Sequence, residues 1–243
     1  MTQPPPRPGR NLTFGMLDTL GREIVTGVYA DRPFPTEAEL AKSHGVSRSV
    51  TREAMKMLAA KGLVSARPRQ GTAIRPTTGW NLFDPDVLRW LLERRFSIDL
   101  LRHFTQLRIA IEPEAAALAA RVADDADRRA VADGLRRMEQ AERGLDDTLD
   151  ADIAFHVAVL RATKNPFYAQ FRDLVATALM KSIRFTNGIA GHGASIPEHQ
   201  AVHDAIAAGD AAAARDAMRG LIGGVLRLID GAATVNAPET DDG

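Results

Sequence analysis

Thr36-Glu-Ala-Glu-Leu-Ala-Lys-Ser-His-Gly-Val-Ser-Arg-Ser-Val-Thr-Arg-Glu-Ala-Met-Lys-Met-Leu-Ala-Ala60 is the stretch that decides the fold. Thr36 is followed three residues later by Glu39. That is the spacing of a capping box, in which a hydroxyl and a carboxylate satisfy each other's backbone N–H groups at a helix start. A short helix is therefore expected over residues 36–43. His44-Gly45-Val46 makes a turn, and Ser47 caps a further helix that runs to about Ala60 before Gly62 stops it. On a helical wheel Val50, Ala54, Met57 and Leu58 share an arc of about 100°, which reads as a core face. Arg48, Arg52 and Lys56 cluster on a separate arc of about 80°, with Ser49 beside them. One packing face and one cationic face suit a helix laid in a DNA major groove, where Arg pairs bidentately with guanine and Lys and Ser reach phosphates. The plainer alternative is a solvated polar face.

Working outward, the residues N-terminal to this stretch carry Leu12, Met16, Leu17, Leu20, Ile24 and Val28 at helical spacing. Residues 1–10 hold four prolines and no periodicity, which predicts a disordered tail. On the other side, Leu63–Ile74 contains two short β-prone pieces around a turn with Pro68 and Gly71, which reads as a hairpin. Helix, helix, turn, helix, hairpin is the order of a winged helix-turn-helix. Arg67 and Arg69 in the hairpin turn are placed for the DNA backbone or minor groove. Residues 76–81 read as a linker. Beyond it the chain is almost wholly helical, over about 84–95, 98–122, 125–143, 146–163, 166–187, 195–208 and 210–231, broken by Pro, Gly, Asp and Asn where caps and turns belong. The expected fold is mainly α. A tail (1–10) leads into a winged helix-turn-helix domain (11–78), then an all-α bundle of six or seven helices (79–231) and a second tail (232–243).

Charge follows the same division. The whole chain has 31 Lys and Arg against 31 Asp and Glu. Residues 1–78 hold 12 basic against 6 acidic, and the remainder 19 against 25. A basic first part beside an acidic second part predicts that only the first meets a polyanion. There are no cysteines, which excludes disulfides and thiolate metal sites. No apolar run approaches the roughly 18 residues of a membrane span, and residues 1–10 lack the apolar core of a signal peptide. A cytoplasmic protein with no membrane partner is expected.

The segments Phe34–Ala41, Gly45–Ala54, Leu58, Gly62-Leu63-Val64 and Gln70-Gly71-Thr72 together resemble the N-terminal domain of the GntR family of transcription regulators, over residues 12–75. The resemblance implies that Arg48 and Arg52 contact bases and that Gly71 is the wing glycine. Ala38 stands where the family often has Arg, so one DNA contact is absent or moved.

In the helical half, Asp152 and His156 are spaced i, i+4 and share one helix face at the margin of Ile153, Val157 and Leu160. The pair suits a divalent metal, an Asp–His hydrogen bond or a solvated contact equally well. His199 and His203 are again i, i+4, but Gln200 cannot serve as the base of a zinc-protease motif, which argues against hydrolytic metal chemistry. Arg108 lies in a mostly apolar segment and needs an anionic partner, either Glu112 or a ligand carboxylate.

Residues 84–230 resemble the all-helical effector domain (FCD type) of the FadR-like subfamily. That resemblance implies metal ligation, by zinc or a similar ion, at Asp152, His156 and His199. The usual fourth histidine is replaced by Leu221. It also implies that Arg108 faces the effector, with Arg184 as a second candidate contact. The segment Trp80–Trp90 resembles the D-galactonate operon regulators of the family, implying a sugar-acid effector, an aldonate such as D-galactonate. The expected protein is thus a homodimeric repressor that binds an operator in double-stranded DNA and is not an enzyme. The rivals are a metal-dependent enzyme using Asp152, His156 and His199, and a DNA-binding module whose helical half only dimerises.

Overall fold

The computed structural model describes residues 8–67, 71–94, 97–180 and 195–235. Contacts divide the chain into two compact units, Met1–Phe96 and Ser97–Gly243. The first comprises α1 (Pro8–Thr26), α2 (Glu37–Ser43), α3 (Arg48–Ala60), β1 (Val64–Arg67), β2 (Gly71–Ile74), a 3-10 turn (Thr77–Gly79) and α4 (Pro85–Glu93). The strands pair antiparallel from Val64↔Ile74 to Arg67↔Gly71. This is a winged helix-turn-helix. The capping box forms as the spacing predicts. Thr36 N donates to Glu39 Oε2 at 2.8 Å, and Glu39 N donates to Thr36 Oγ1 at 3.3 Å. Ser47 Oγ in turn accepts from Val50 N. Gly62 ends α3 with φ +77, and a Cβ there would lie 2.3 Å from the Gly79 carbonyl oxygen, so only glycine permits both the left-handed turn and the close approach of the 3-10 turn.

The core face of α3 differs from the expected one. Thr51, Ala54, Met55 and Leu58 are buried, while Val50 and Met57 are only partly covered. The packing arc is therefore turned by about 60° from the one drawn through apolar residues alone. Thr51 can be buried because its hydroxyl donates to the Ser47 carbonyl one turn back.

The boundary between units also differs from the sequence expectation of residue 78. Helix α4, expected in the second domain, packs on α1. Trp90 is fully buried over Gly21, and its indole N–H donates to Asp18 at 2.9 Å. Arg89 reaches Asp18, Arg22 pairs with Glu93, and Lys61 pairs with Asp84 and Asp86 at 2.8 Å each. Val87, Leu88 and Leu91 complete the apolar contact. Burying side chains of this size contributes about 1.5–3 kcal/mol each, so α4 is held firmly to the first unit. At the ends of the chain, α1 begins at Pro8, so residues 8–10 of the expected tail are helical. Residues 1–7 and 236–243 lie outside the described residues.

The second unit comprises α5 (Ile98–Val122), α6 (Asp125–Glu142), α7 (Thr148–Ala162), α8 (Pro166–Gln170), α9 (residues 172–180), α10 (Ile196–Ala208) and α11 (Ala211–Val235). Its principal packed pairs are α5 with α11, α6 with α7 and α10 with α11. Val131, Leu135, Met138, Phe155, Val159, Val202, Ile206, Met218, Leu221 and Ile222 form the main core. Among the described residues no helix is long and apolar enough to cross a membrane.

Candidate functional site

Two groups of residues carry chemistry, one in each unit. In the first, Arg48, Ser49, Arg52, Glu53 and Lys56 line an open concavity on the outer side of α3. The side chains of Arg52 and Lys56 are each 68% exposed. Their carboxylate neighbours sit at loose range, Glu37 at 3.7 Å from Arg52 and Glu53 at 3.5 Å from Lys56. Exposed pairs of that kind contribute little and exchange readily for another anion. Gly71 opens β2 with φ +81. Arg67 ends β1, and Arg69 lies outside the described residues.

In the second unit α5, α7 and α10 bring five ionisable side chains together in the interior. Arg108 and Glu112 come from α5, Asp152 and His156 from α7, and His199 from α10, and each is 2% exposed or less. Arg108 Nε donates to Glu112 Oε1 at 2.5 Å, while His156 Nδ1 meets Glu112 Oε2 at 2.5 Å. Of the two partners left open for Arg108, Glu112 is therefore the one inside the chain. Burial alone would raise the Glu112 carboxyl, but the Arg108 guanidinium and then His156 outweigh it and bring it down to about 2. Burial likewise pushes Asp152 up. Contact with His199 and the charges of His156, His199 and Arg108 hold it below the usual carboxylate range.

The arrangement leaves two buried atoms without hydrogen bonds. His199 Nε2 and Asp152 Oδ1 stand 2.9 Å apart, yet neither has a hydrogen-bond partner, because the approach lacks the required alignment. His199 Nδ1 is 2.7 Å from the Ser195 carbonyl, which can only accept, so Nδ1 carries a proton, and in the neutral ring Nε2 presents a lone pair. His156 follows the same logic. Its Nδ1 faces the Glu112 carboxylate, leaving Nε2 toward Asp152 Oδ1 at 3.8 Å. With both rings neutral three buried acceptors converge, the ligand atoms of Asp152, His156 and His199 all lying within 4.8 Å of one another. Facing acceptors repel unless a cation lies between them, and two imidazoles with a carboxylate are a donor set that suits a divalent ion. The residues present fit a metal.

Leu221, at the position of the absent fourth histidine, is buried in the main hydrocarbon core. His203, the other half of the second histidine pair, is part-exposed and turned to Asp204 and Gln200. Arg184 lies outside the described residues. Sequence reasoning treated Glu112 only as a partner for Arg108 and missed its bond to His156. The available signal was a carboxylate in a mostly apolar helix one turn from a buried arginine.

Residues 17–74 match the family described as bacterial regulatory proteins, gntR family, and residues 103–224 match the FCD domain. The chain is 32% identical to the galactonate operon transcriptional repressor of Escherichia coli (strain K12), over 90% of this chain and 97% of that protein. This chain belongs to the GntR family. It is also 31% identical to the HTH-type transcriptional regulator LutR of Bacillus subtilis (strain 168), over 74% of this chain and 83% of that one. Among solved structures, that of Lar, which controls the expression of the Listeria monocytogenes agr system, covers 90% of this chain and 96% of its own. The two share 17% identity with a TM-score of 0.61, a likeness of fold. As a GntR-family protein with an FCD domain, the chain is a DNA-binding transcription regulator and not an enzyme.

Proposed function

We propose that this regulator is a cytoplasmic homodimeric repressor whose operator affinity is lowered when a sugar acid, an aldonate such as D-galactonate, enters the helical unit. The observation that carries the reading is the buried charge cluster, with Arg108 beside two acceptors, Asp152 Oδ1 and His199 Nε2, that have no hydrogen bond. A monomeric core gains nothing from such atoms, since an unsatisfied buried polar group costs about 1–3 kcal/mol. A polar ligand and its cation would satisfy them. Asp152, His156 and His199 would hold a divalent metal, zinc or similar, which supplies positive charge to ligand oxygens. Arg108 holds the carboxylate, and Arg184 is the further candidate contact. The likeness to the galactonate operon repressor supports the choice of sugar acid. A two-fold dimer presents two α3 helices to two half-sites, with Arg48 and Arg52 on bases, Ser49 and Lys56 on phosphates, and Arg67, Arg69 and the Gly71 wing on the backbone or minor groove. Differential affinity of the ligand for the two states of the dimer then shifts it off DNA.

The test pairs thermal shift against a panel of sugar acids, with and without zinc, with operator binding under the same conditions. An aldonate should raise the melting temperature and weaken operator binding. Intact operator binding with no stabilisation by any sugar acid, loaded or chelated, favours a helical unit that only dimerises. Arg48→Ala should abolish specific operator binding while leaving the ligand-induced thermal shift unchanged. Specific binding at wild-type strength by that variant excludes α3 as the reader.

A further inference from the structure

Glu112 has two buried side-chain partners, Arg108 and His156. Oε1 accepts from Arg108 Nε, and Oε2 accepts from His156 and, at 3.5 Å, from Arg108 Nη2, so one buried carboxylate touches both halves of the proposed ligand site. We propose that Glu112 is a positioning residue that couples metal loading at His156 to anion capture at Arg108, a role that rests on the ligand reading above.

Two features carry it. The first is orientation. A carboxylate behind a ligating imidazole fixes the ring and its tautomer and raises the basicity of the ligating nitrogen. With Nδ1–H on Glu112, His156 directs Nε2 toward Asp152 Oδ1, on the same side as His199 Nε2. Arg108 Nη2 lies 3.4 Å from both ring nitrogens of His156, a position equidistant from the two and therefore off the line of the Nε2 lone pair. Held by Glu112 at its Nε end, the guanidinium stays beside the ring without taking the ligand position.

The second feature is charge. With both histidines neutral, as metal ligation requires, the cluster holds one positive group, Arg108, and two negative ones, Glu112 and Asp152. A dication turns this net single negative charge into a net single positive one, and a ligand carboxylate on Arg108 then brings it to zero. Net charge in a buried site is penalised, so cation and anion each favour the other, and by linkage each must raise the other's affinity by the same factor. Removing the Glu112 charge leaves the metal-loaded site with two uncompensated positive charges, but it frees Arg108 for an incoming carboxylate. The two affinities should therefore move in opposite directions, which a merely structural role would not produce.

The experiment titrates Co(II), read by its visible absorption, and D-galactonate into the full-length protein and Glu112→Gln, each probe with and without the other. In the wild type, each probe should tighten the other by one common factor, of the order of 5–150. In Glu112→Gln, Co(II) affinity should fall by about 10- to 100-fold with an altered spectrum. D-galactonate affinity in chelator should hold or rise, and the common factor should change. Wild-type Co(II) affinity and spectrum in the variant overturn the proposal, as does equal weakening of both probes. A wild-type protein that binds neither probe defeats the ligand reading itself and the coupling with it, which separates the two failures. If Glu112→Gln does not fold, long-range proton–nitrogen NMR correlations on the metal-free wild type decide. The expected form of His156 is the Nδ1–H tautomer, and an Nε2–H tautomer overturns the proposal. Glu112→Asp, which keeps the charge, should restore part of the Co(II) affinity.

Discussion

In α3 the cations of the proposed DNA-reading face stand in solvent, with Arg52 and Lys56 each 68% exposed and their carboxylate neighbours at 3.5–3.7 Å. In the helical unit Arg108 is 2% exposed and lies 2.5 Å from a carboxylate that is 1% exposed. The same guanidinium chemistry is used in two dielectrics, and the difference teaches what each is for. An exposed cation loses little by exchanging a loose side-chain partner for a phosphate or a base edge, so α3 can be rich in them at almost no cost to the fold. A buried cation has lost its hydration and depends on every contact around it. A cluster that nonetheless leaves Asp152 Oδ1 and His199 Nε2 unbonded is therefore incomplete in a way that α3 is not.

The widest separation between the two regions should come from paired truncations. Arg108→Ala leaves Glu112 buried with one partner gone and should cost about 3–5 kcal/mol of folding stability. Arg52→Ala should cost less than about 1 kcal/mol, as exposed pairs do. Denaturant unfolding of both variants checks this, and equal costs would erase the contrast. On DNA the order reverses. Arg52→Ala should lose about 1–3 kcal/mol of specific operator affinity, the range for a bidentate base contact. Arg108→Ala, assayed at a temperature where it is folded and without ligand, should bind the operator as the wild type does. Fluorescence anisotropy on operator and scrambled duplexes reads both.

A second, smaller effect concerns the α1–α4 contact. A Cβ at Gly21 would lie 2.3–2.5 Å from three Trp90 ring atoms, so Gly21→Ala should force α4 away from α1 and destabilise by about 1–3 kcal/mol, despite alanine's better helix propensity. Thermal melting followed by tryptophan fluorescence should show a lower midpoint. A raised midpoint would mean that α4 is not seated on α1 in solution.

These contrasts also explain what could be read from the residues alone. The capping box at Thr36 and Glu39, the Ser47 cap, the hairpin and the helix breaks after Val122 and at Asn165-Pro166 were legible because each is local, a matter of a few adjacent side chains and backbone groups. The core face of α3 was misplaced because the arc was drawn through Val50 and Met57 and not through Met55, and because a count of apolar residues passes over Thr51, whose hydroxyl is satisfied by its own helix. Residues 84–95 were legible as a helix, but a helix reading carries no information about the partner, and the partner proved to be α1, some 70 residues earlier. The candidate site was half legible for the same reason. The spacings Asp152–His156 and Arg108–Glu112 are local, whereas the bond joining the two pairs spans 44 residues of sequence and exists only once α5 and α7 have packed.

The smallest expected effect is a dependence on pH that belongs to the α1–α4 contact. Burial would raise Asp18, but the Trp90 indole N–H and the Arg89 and Arg22 guanidinium groups draw it below its ordinary 3.8. Burial would likewise raise Asp86, and Lys61 and Arg89 draw it down. Carboxyls with a folded pKa below the unfolded one contribute stability that is complete above about pH 4 and is lost as pH falls through the folded value. Lys61 moves the other way. Burial lowers it, Asp84 and Asp86 more than restore it, and its folded value lies above 10.5. Its contribution is therefore complete below that pH and lost only in strong alkali. Between about pH 5 and 10 the contact should be indifferent to pH. Because Asp18 and Asp86 are a third or more exposed, solvent screens each pair to less than about 1 kcal/mol. Asp18→Asn isolates the carboxylate. At neutral pH it should melt slightly below the wild type, and the gap should close as pH falls below 3.8, where the wild-type group is itself being protonated. A gap that persists unchanged at pH 3 would assign the loss to the packing of Trp90 on α1 and not to the charge of Asp18.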